Sequence, residues 1–204
     1  MMKKFKRISL LLGLFLSFSA FADTAEHIDK QLCSTCHGIG GNTTSEQFPM
    51  LAGQPKEYLA KELKEFKDKT RGNLNAVRFM QGIASRLSDD EITQLAAYFE
   101  AQTPAHDGKI SDQKKYDQGK AIFNLGNPAA GLIACTMCHG DKGQGNGAIP
   151  TPRLAGQHEE YLKKHLDVFF KHPEQRPDAV AMHQIVKGLT DEDMLAVAHY
   201  LQAQ

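Results

Sequence analysis

The sequence predicts an all-α protein built as two tandem helical domains related by internal duplication. Three observations carry this. Motifs recur in one order at an offset of 102 or 103 residues, helical periodicity fills each copy, and no stretch alternates apolar and polar residues long enough for a sheet. The pairs are "CSTCHG" with "CTMCHG", "FPMLAGQPKEYLAKEL" with "TPRLAGQHEEYLKKHL", and "MQGIASRLSDDEITQLAAYF" with "MHQIVKGLTDEDMLAVAHYL". The offset is 102 at the cysteines, 103 from Pro49/Pro152 through Phe66/Phe169, and 102 again at Met80/Met182. Loops drift while motifs hold.

The chain opens with a basic head, an apolar run from Ile8 to Phe18 and a small-x-small end at Ala20-Phe21-Ala22. That pattern reads as a secretory signal over residues 1–22, cut before Asp23, and places the mature protein in the periplasm. The apolar run is short for a membrane span, and no later stretch approaches the roughly 20 apolar residues spanning needs. An uncleaved anchor and peripheral membrane association stay open. Removing residues 1–22 takes four basic and no acidic side chains from a chain of zero formal charge, leaving −4. No basic face remains to neutralise phosphates, which excludes a nucleic-acid partner.

The mature chain divides into a first domain at 23–102, a polar linker "TPAHDGKISDQKK" at 103–115, and a second domain at 116–204. In "QPKEYLAKELKEFKDKT", Tyr58, Leu59, Leu63 and Phe66 recur at near-helical spacing among lysines and glutamates. In "SDDEITQLAAYFEAQ", Ser88 and Glu91 form a capping box ahead of Ile92, Leu95, Ala96 and Phe99. Its counterpart opens with Thr190 and Asp193, a weaker box, before Leu195, Val197, Ala198 and Leu201.

Domains of about 80 to 90 residues bury a limited core, and at that size a bound cofactor often fills the centre. The four cysteines identify it. In an exported chain they could form two disulfides, a redox dithiol or part of a zinc site. None of these gives His37 or His139 a task, a dithiol lacks its βαβ setting, and zinc ligands would lie about 100 residues apart. Covalent haem uses every member of Cys-x-x-Cys-His. Cys33 with Cys36, and Cys135 with Cys138, sit three residues apart on a helical turn and can add to two vinyl groups, while His37 and His139 face the irons. Two copies mean two covalently bound c-type haems.

The second axial ligand separates electron carriage from small-molecule activation. His37 to Met80 is 43 residues, and His139 to Met182 is also 43. Met50 faces Arg153 in the other copy, Met194 faces Ile92, and Met137 sits inside its own attachment loop. Met80 and Met182 are therefore the axial candidates; His183 is the nearest competitor, matched by Gln81 in the first copy. Pro49 and Pro152 stand at matching places before "LAG", where a rigid carbonyl could receive the ring N–H of each axial histidine. The bland alternative is that they only turn the chain. Leu51 and Leu154 are expected on the porphyrin edge.

With its signal segment, two C-x-x-C-H sites, paired "FPMLAGQ" and "TPRLAGQ" loops and repeated "LSDDEITQLAAYF" and "LTDEDMLAVAHYL" helices, the chain resembles the cytochrome c4 family over nearly all of its mature length. The resemblance implies two cytochrome c-like domains about a pseudo-twofold axis, propionates near their interface and His/Met iron in each. It implies one-electron transfer from a cytochrome bc complex toward a terminal haem–copper oxidase or another periplasmic acceptor, with no enzymatic activity. The segment before the cysteines is shorter in the first copy, implying a differently covered edge at the first haem. Three alternatives stay open: the haem subunit of a flavocytochrome c sulfide dehydrogenase, a dihaem enzyme such as a peroxidase or thiosulfate dehydrogenase, and a bound electron-entry subunit of an oxidase or nitrogen-oxide reductase.

Overall fold

The computed structural model describes residues 24–72, 76–106 and 108–204; the predicted export segment lies outside them. The first half runs helically from residue 24 through a π-helical turn, Asp29–Cys33, into α1 (Ser34–His37). Then come α2 (Lys56–Lys67), α3 (Gln81–Ala84) and α4 (Asp89–Glu100). The second half begins with α5 (Gln113–Leu125) and repeats the rest as α6 (Thr136–His139), α7 (Glu159–Lys171), α8 (Val180–Ile185) and α9 (Asp191–Gln202). Among the described residues, β-type pairing is limited to two isolated bridges, Asn127 with Leu132 and Asn146 with Thr151. No described helix is long and apolar enough to cross a membrane.

Local chemistry sets the helix ends. Both capping boxes close reciprocally, Ser88 with Glu91 on α4 and Thr190 with Asp193 on α9. The shorter aspartate still reaches the Thr190 N–H, at 3.0 Å, so the second box is as complete as the first. α5 starts at Gln113, inside the segment read as a linker, because the Asp112 side chain accepts the Lys115 N–H at 3.1 Å and starts the helix there.

Each half buries the apolar stripe of its last helix. Ile92, Leu95, Ala96 and Phe99 of α4 pack with Ala25, Leu59 and Leu87; Val197, Ala198, Tyr200 and Leu201 of α9 pack with Phe123 and Leu162. The crossing of α5 and α9 requires Gly119, where a Cβ would lie 1.9 Å from the Ala196 carbonyl oxygen. The longer segment before Cys135 adds a cluster of its own, with Leu132 buried against Val186, Leu189 and Met194.

The halves meet along their "LAGQ" loops. Gln54 and Gln157 reach across to each other's half, His158 Nε2 lies 3.0 Å from the Thr43 carbonyl, and Lys61 bonds Asp178 at 2.5 Å. The interface therefore uses the repeat twice, once in each direction.

Candidate functional site

α1 and α6 carry the two Cys-x-x-Cys-His motifs. Cys33, Cys36, Cys135 and Cys138 are free, partly buried thiols. Burial pushes the Cys33 and Cys135 thiols up to about 11, so both are protonated near neutrality. Each motif ends at a glycine with positive φ, Gly38 and Gly140. A Cβ on Gly38 would meet the Asn42 carbonyl oxygen at 2.4 Å, and the bare backbone lets the chain fold back over the helix end.

That return brings a proline carbonyl to each histidine. Leu51 N–H donates to the Gly41 carbonyl at 2.8 Å, and Leu154 N–H to the Gly143 carbonyl at 2.7 Å, which docks the two "LAG" loops alike. Pro49 O then lies 2.9 Å from His37 Nδ1, and Pro152 O lies 3.0 Å from His139 Nδ1. A carbonyl only accepts, so Nδ1 keeps its proton and Nε2 holds the free lone pair. Burial lowers both imidazole pKa values, opposed by the proline carbonyls. Both rings are thus prepared as neutral donors.

A cavity of about 660 Å³ runs through both halves, and every residue expected from the sequence to attach, ligate or flank a haem lines it. Cys33, Cys36, His37 and Met80 face it from the first half, with Pro49 and Leu51; Cys135, Cys138, His139 and Met182 face it from the second, with Pro152 and Leu154. Met80 closes a π-helical turn, Ala76–Met80, directly before α3, and Met182 lies within α8. His183 is not on the cavity wall, and its ring sits 6.2 Å from that of Phe169. Met137 is 71 % exposed and Met194 is buried in the Leu132 cluster. Paired thiols, a free imidazole nitrogen and a thioether sulfur around a mainly apolar space form a donor set that fits haem, and it occurs twice.

The structure adds polar residues that the sequence reading did not single out. Where the halves meet, buried Glu62 is paired with Arg71 and accepts from Arg176 Nη2 at 2.8 Å; Arg71 Nη2 lies 3.0 Å from His165 Nε2. Tyr58, Tyr161, Arg71, Arg176 and His165 all line the cavity. Burial, then Arg71 and Arg176, hold His165 well below its ordinary pKa, and burial pushes the Tyr58 phenol up. The recurrence of Tyr58 and Tyr161 at offset 103 was a usable signal. The arginines gave none, since they fall in loops of different length.

The cytochrome c family profile matches residues 21–103 and again residues 116–204. Cytochrome c4 of Azotobacter vinelandii is 34 % identical over 96 % of both chains. The chain belongs to the cytochrome c4 family. The crystal structure of reduced recombinant cytochrome c4 from Pseudomonas stutzeri superposes with a TM-score of 0.80 at 31 % identity, covering 89 % of this chain and 97 % of that one. A relative named thiosulfate dehydrogenase electron acceptor, from Thiomonas intermedia, is 32 % identical over 84 % of this chain and 78 % of its own. As a cytochrome c4, the chain carries two covalent c-type haems, one per domain, at motifs that Cys33/Cys36 and Cys135/Cys138 supply, and it is an electron-transfer protein.

Proposed function

We propose that the chain is a periplasmic carrier of single electrons in which His37 with Met80, and His139 with Met182, ligate the two irons. Haem bound at each motif supplies a one-electron ferric/ferrous couple. The observation that carries the reading is that both halves bring thiol pair, histidine and methionine to one continuous cavity. Pro49 and Pro152 fix the histidine tautomers, while Leu51 and Leu154 exclude water beside them. Met80 and Met182, holding iron together with His37 and His139, would leave no position open to oxygen or peroxide and would raise the potential relative to a second imidazole. Arg71, Arg176, Tyr58 and Tyr161 offer donors to carboxylates at the domain boundary, so charge brought there is neutralised within the protein. Residues 1–22 serve as the export signal, residues 23–102 and 116–204 as the haem domains, with the linker at 103–115.

In this reading electrons arrive from a cytochrome bc complex and leave toward a terminal haem–copper oxidase or another periplasmic acceptor. Similarity to a thiosulfate dehydrogenase electron acceptor favours a second reading, in which a sulfur-oxidising dehydrogenase is the donor. Steady-state turnover tests both. The reduced protein should be oxidised by a terminal oxidase preparation and should show negligible activity alone toward peroxide, thiosulfate or sulfide. Substantial turnover of any of those three by the isolated chain would overturn the carrier reading. Reduction only in the presence of a thiosulfate dehydrogenase, and not of a bc complex, would favour the second donor.

A further inference from the structure

Among the described residues two carboxylates are buried, Asp29 and Glu62. Asp29 is held within its own half, by the Gly40 N–H and the Tyr98 hydroxyl. Glu62, on α2, serves both halves: it pairs with Arg71 of the first and accepts from Arg176 Nη2 of the second at 2.8 Å. The two arginines are counterparts in space, although their loops differ in length. Arg71 lies 4.6 Å over the ring of Phe66 and Arg176 lies 5.5 Å over that of Phe169, and those rings are a pair of the repeat. The repeat position of Glu62 itself holds His165, whose Nδ1–H donates to the Tyr161 carbonyl at 3.1 Å, leaving Nε2 to accept from Arg71. One carboxylate thus stands between two guanidinium groups where a strict repeat would supply two.

Each arginine is also tied through its carbonyl to the segment that carries a methionine. Arg71 O accepts from the side-chain amide of Gln81 at 2.9 Å, and Gln81 follows Met80 and opens α3. Arg176 O accepts the Ala179 N–H at 3.0 Å, and Ala179 stands at the start of α8, where Met182 lies. The Gly72 N–H fastens the first of these loops to the second half, donating to the Gln175 carbonyl at 3.1 Å. Arg176 has Asp178 as a second acid, at 3.2 Å, whereas among the described residues Arg71 is paired with Glu62 alone. Guanidinium and carbonyl of one residue thus join Glu62 to each methionine segment.

We infer that Glu62 is a positioning residue for both axial methionines, holding Met80 through Arg71 and Met182 through Arg176. This role rests on ligation by Met80 and Met182, and it makes one buried carboxylate, a member of neither ligand set, the common anchor of both. Without its charge, two guanidinium groups of like sign would share a buried site, and removing one partner of a buried ion pair is strongly destabilising. The arginines relieve that by moving apart. Each then draws its carbonyl, and the methionine segment bonded to it, away from the position it holds when Glu62 is charged.

The test is imidazole binding to the full haem-loaded ferric chain, with the haems resolved by the NMR signals of their methionine methyl groups. Imidazole enters only where the thioether has left, so its apparent affinity reports the open fraction of each site. Glu62→Gln keeps the shape and one acceptor oxygen while removing the charge. It should raise imidazole affinity about tenfold at both haems. An unchanged affinity at either haem overturns the inference. His158→Ala breaks another bond between the halves, to the Thr43 carbonyl, without touching either arginine. That variant should leave both affinities as they are; loosening equal to that of Glu62→Gln would assign the effect to docking alone and overturn the inference. Should the Gln variant fail to load haem, Arg71→Lys and Arg176→Lys are read instead, each expected to raise affinity chiefly at its own haem, and a variant without that rise overturns the inference. Absence of methionine signals from the unaltered protein would overturn ligation by Met80 and Met182, and this role with it, a result distinct from unshifted affinities.

Discussion

Gln54 and Gln157 grip each other's domains by one bonding pattern made twice. Gln54 Nε2 donates to the Arg153 carbonyl at 2.7 Å and its Oε1 accepts the Arg153 N–H at 2.9 Å. Gln157 Nε2 donates to the Met50 carbonyl at 3.0 Å and its Oε1 accepts the Met50 N–H at 2.9 Å. Since Gln54/Gln157 and Met50/Arg153 are both pairs of the repeat, the interface is isologous within a single chain, as in a twofold dimer. Both glutamines are buried; the two bonds to Met50 are shielded from water and the two to Arg153 partly so.

Gln157→Ala should destabilise domain docking by about 1–3 kcal/mol, because it leaves the buried Met50 N–H and C=O unpaired, and Gln54→Ala by less, because the Arg153 groups it frees are partly exposed. Denaturant titration of the haem-loaded chain, followed at each haem, should show one transition splitting into two in the double variant. A single unsplit transition would mean that other contacts hold the halves together.

Met182→His should lower the potential of the second haem, by a fraction of the roughly 0.8 V range that axial ligands span. The absorption band of methionine-ligated iron should be lost there and retained at the first haem. An unaltered spectrum would make Met182 core filler.

Cys135→Ala with Cys138→Ala should leave residues from about 116 onward poorly ordered, because the cavity lined by Phe123, Leu162, Val197 and Leu201 is the centre of that domain and haem is what fills it. The first domain should still load its haem. Full helicity and protease resistance of the unloaded second domain would contradict this.

Asp178 couples docking to pH. Burial works to raise its pKa, yet hydrogen bonds from Arg176 and from Lys61 of the other half prevail and hold it at about 2. A carboxylate depressed from 3.8 stabilises the docked form above pH 3.8, and this contribution is lost as pH falls through about 2. Partial exposure limits it to about 1–2 kcal/mol. Asp178→Asn should remove that acid-labile increment, read as a flatter dependence of stability between about pH 4 and pH 2. An unchanged profile would assign the acid response to other groups.

Much of the helical frame was legible because its signals are local. Ser88 with Glu91 and Thr190 with Asp193 start helices through side chains three residues from the N–H groups they serve. The fit of α5 beginning inside the polar linker was not legible, since Asp112 reads equally well as a solvated loop residue. Asp29 was hidden for another reason. The segment before Cys135 is longer than that before Cys33, so counting back from the cysteines pairs Asp29 with Gly131, and only the contacts with Tyr98 and Tyr200 show that it stands in for Phe123.

By itself the sequence determined the duplication, the two Cys-x-x-Cys-His motifs and the equal 43-residue spacing to Met80 and Met182. These follow from covalent chemistry and from repetition, which need no coordinates. The tertiary structure alone decided that the domains clasp through Gln54 and Gln157, that Arg71 and Arg176 converge on Glu62, and that a lone carboxylate lies buried behind the first motif. The clasp and the Arg176–Glu62 pair depend on which residues of the two copies meet across about 100 positions of chain, and the burial of Asp29 on how its own half packs around Tyr98 and Gly40. Their energy comes from shared desolvation, which arises only when both partners are buried together.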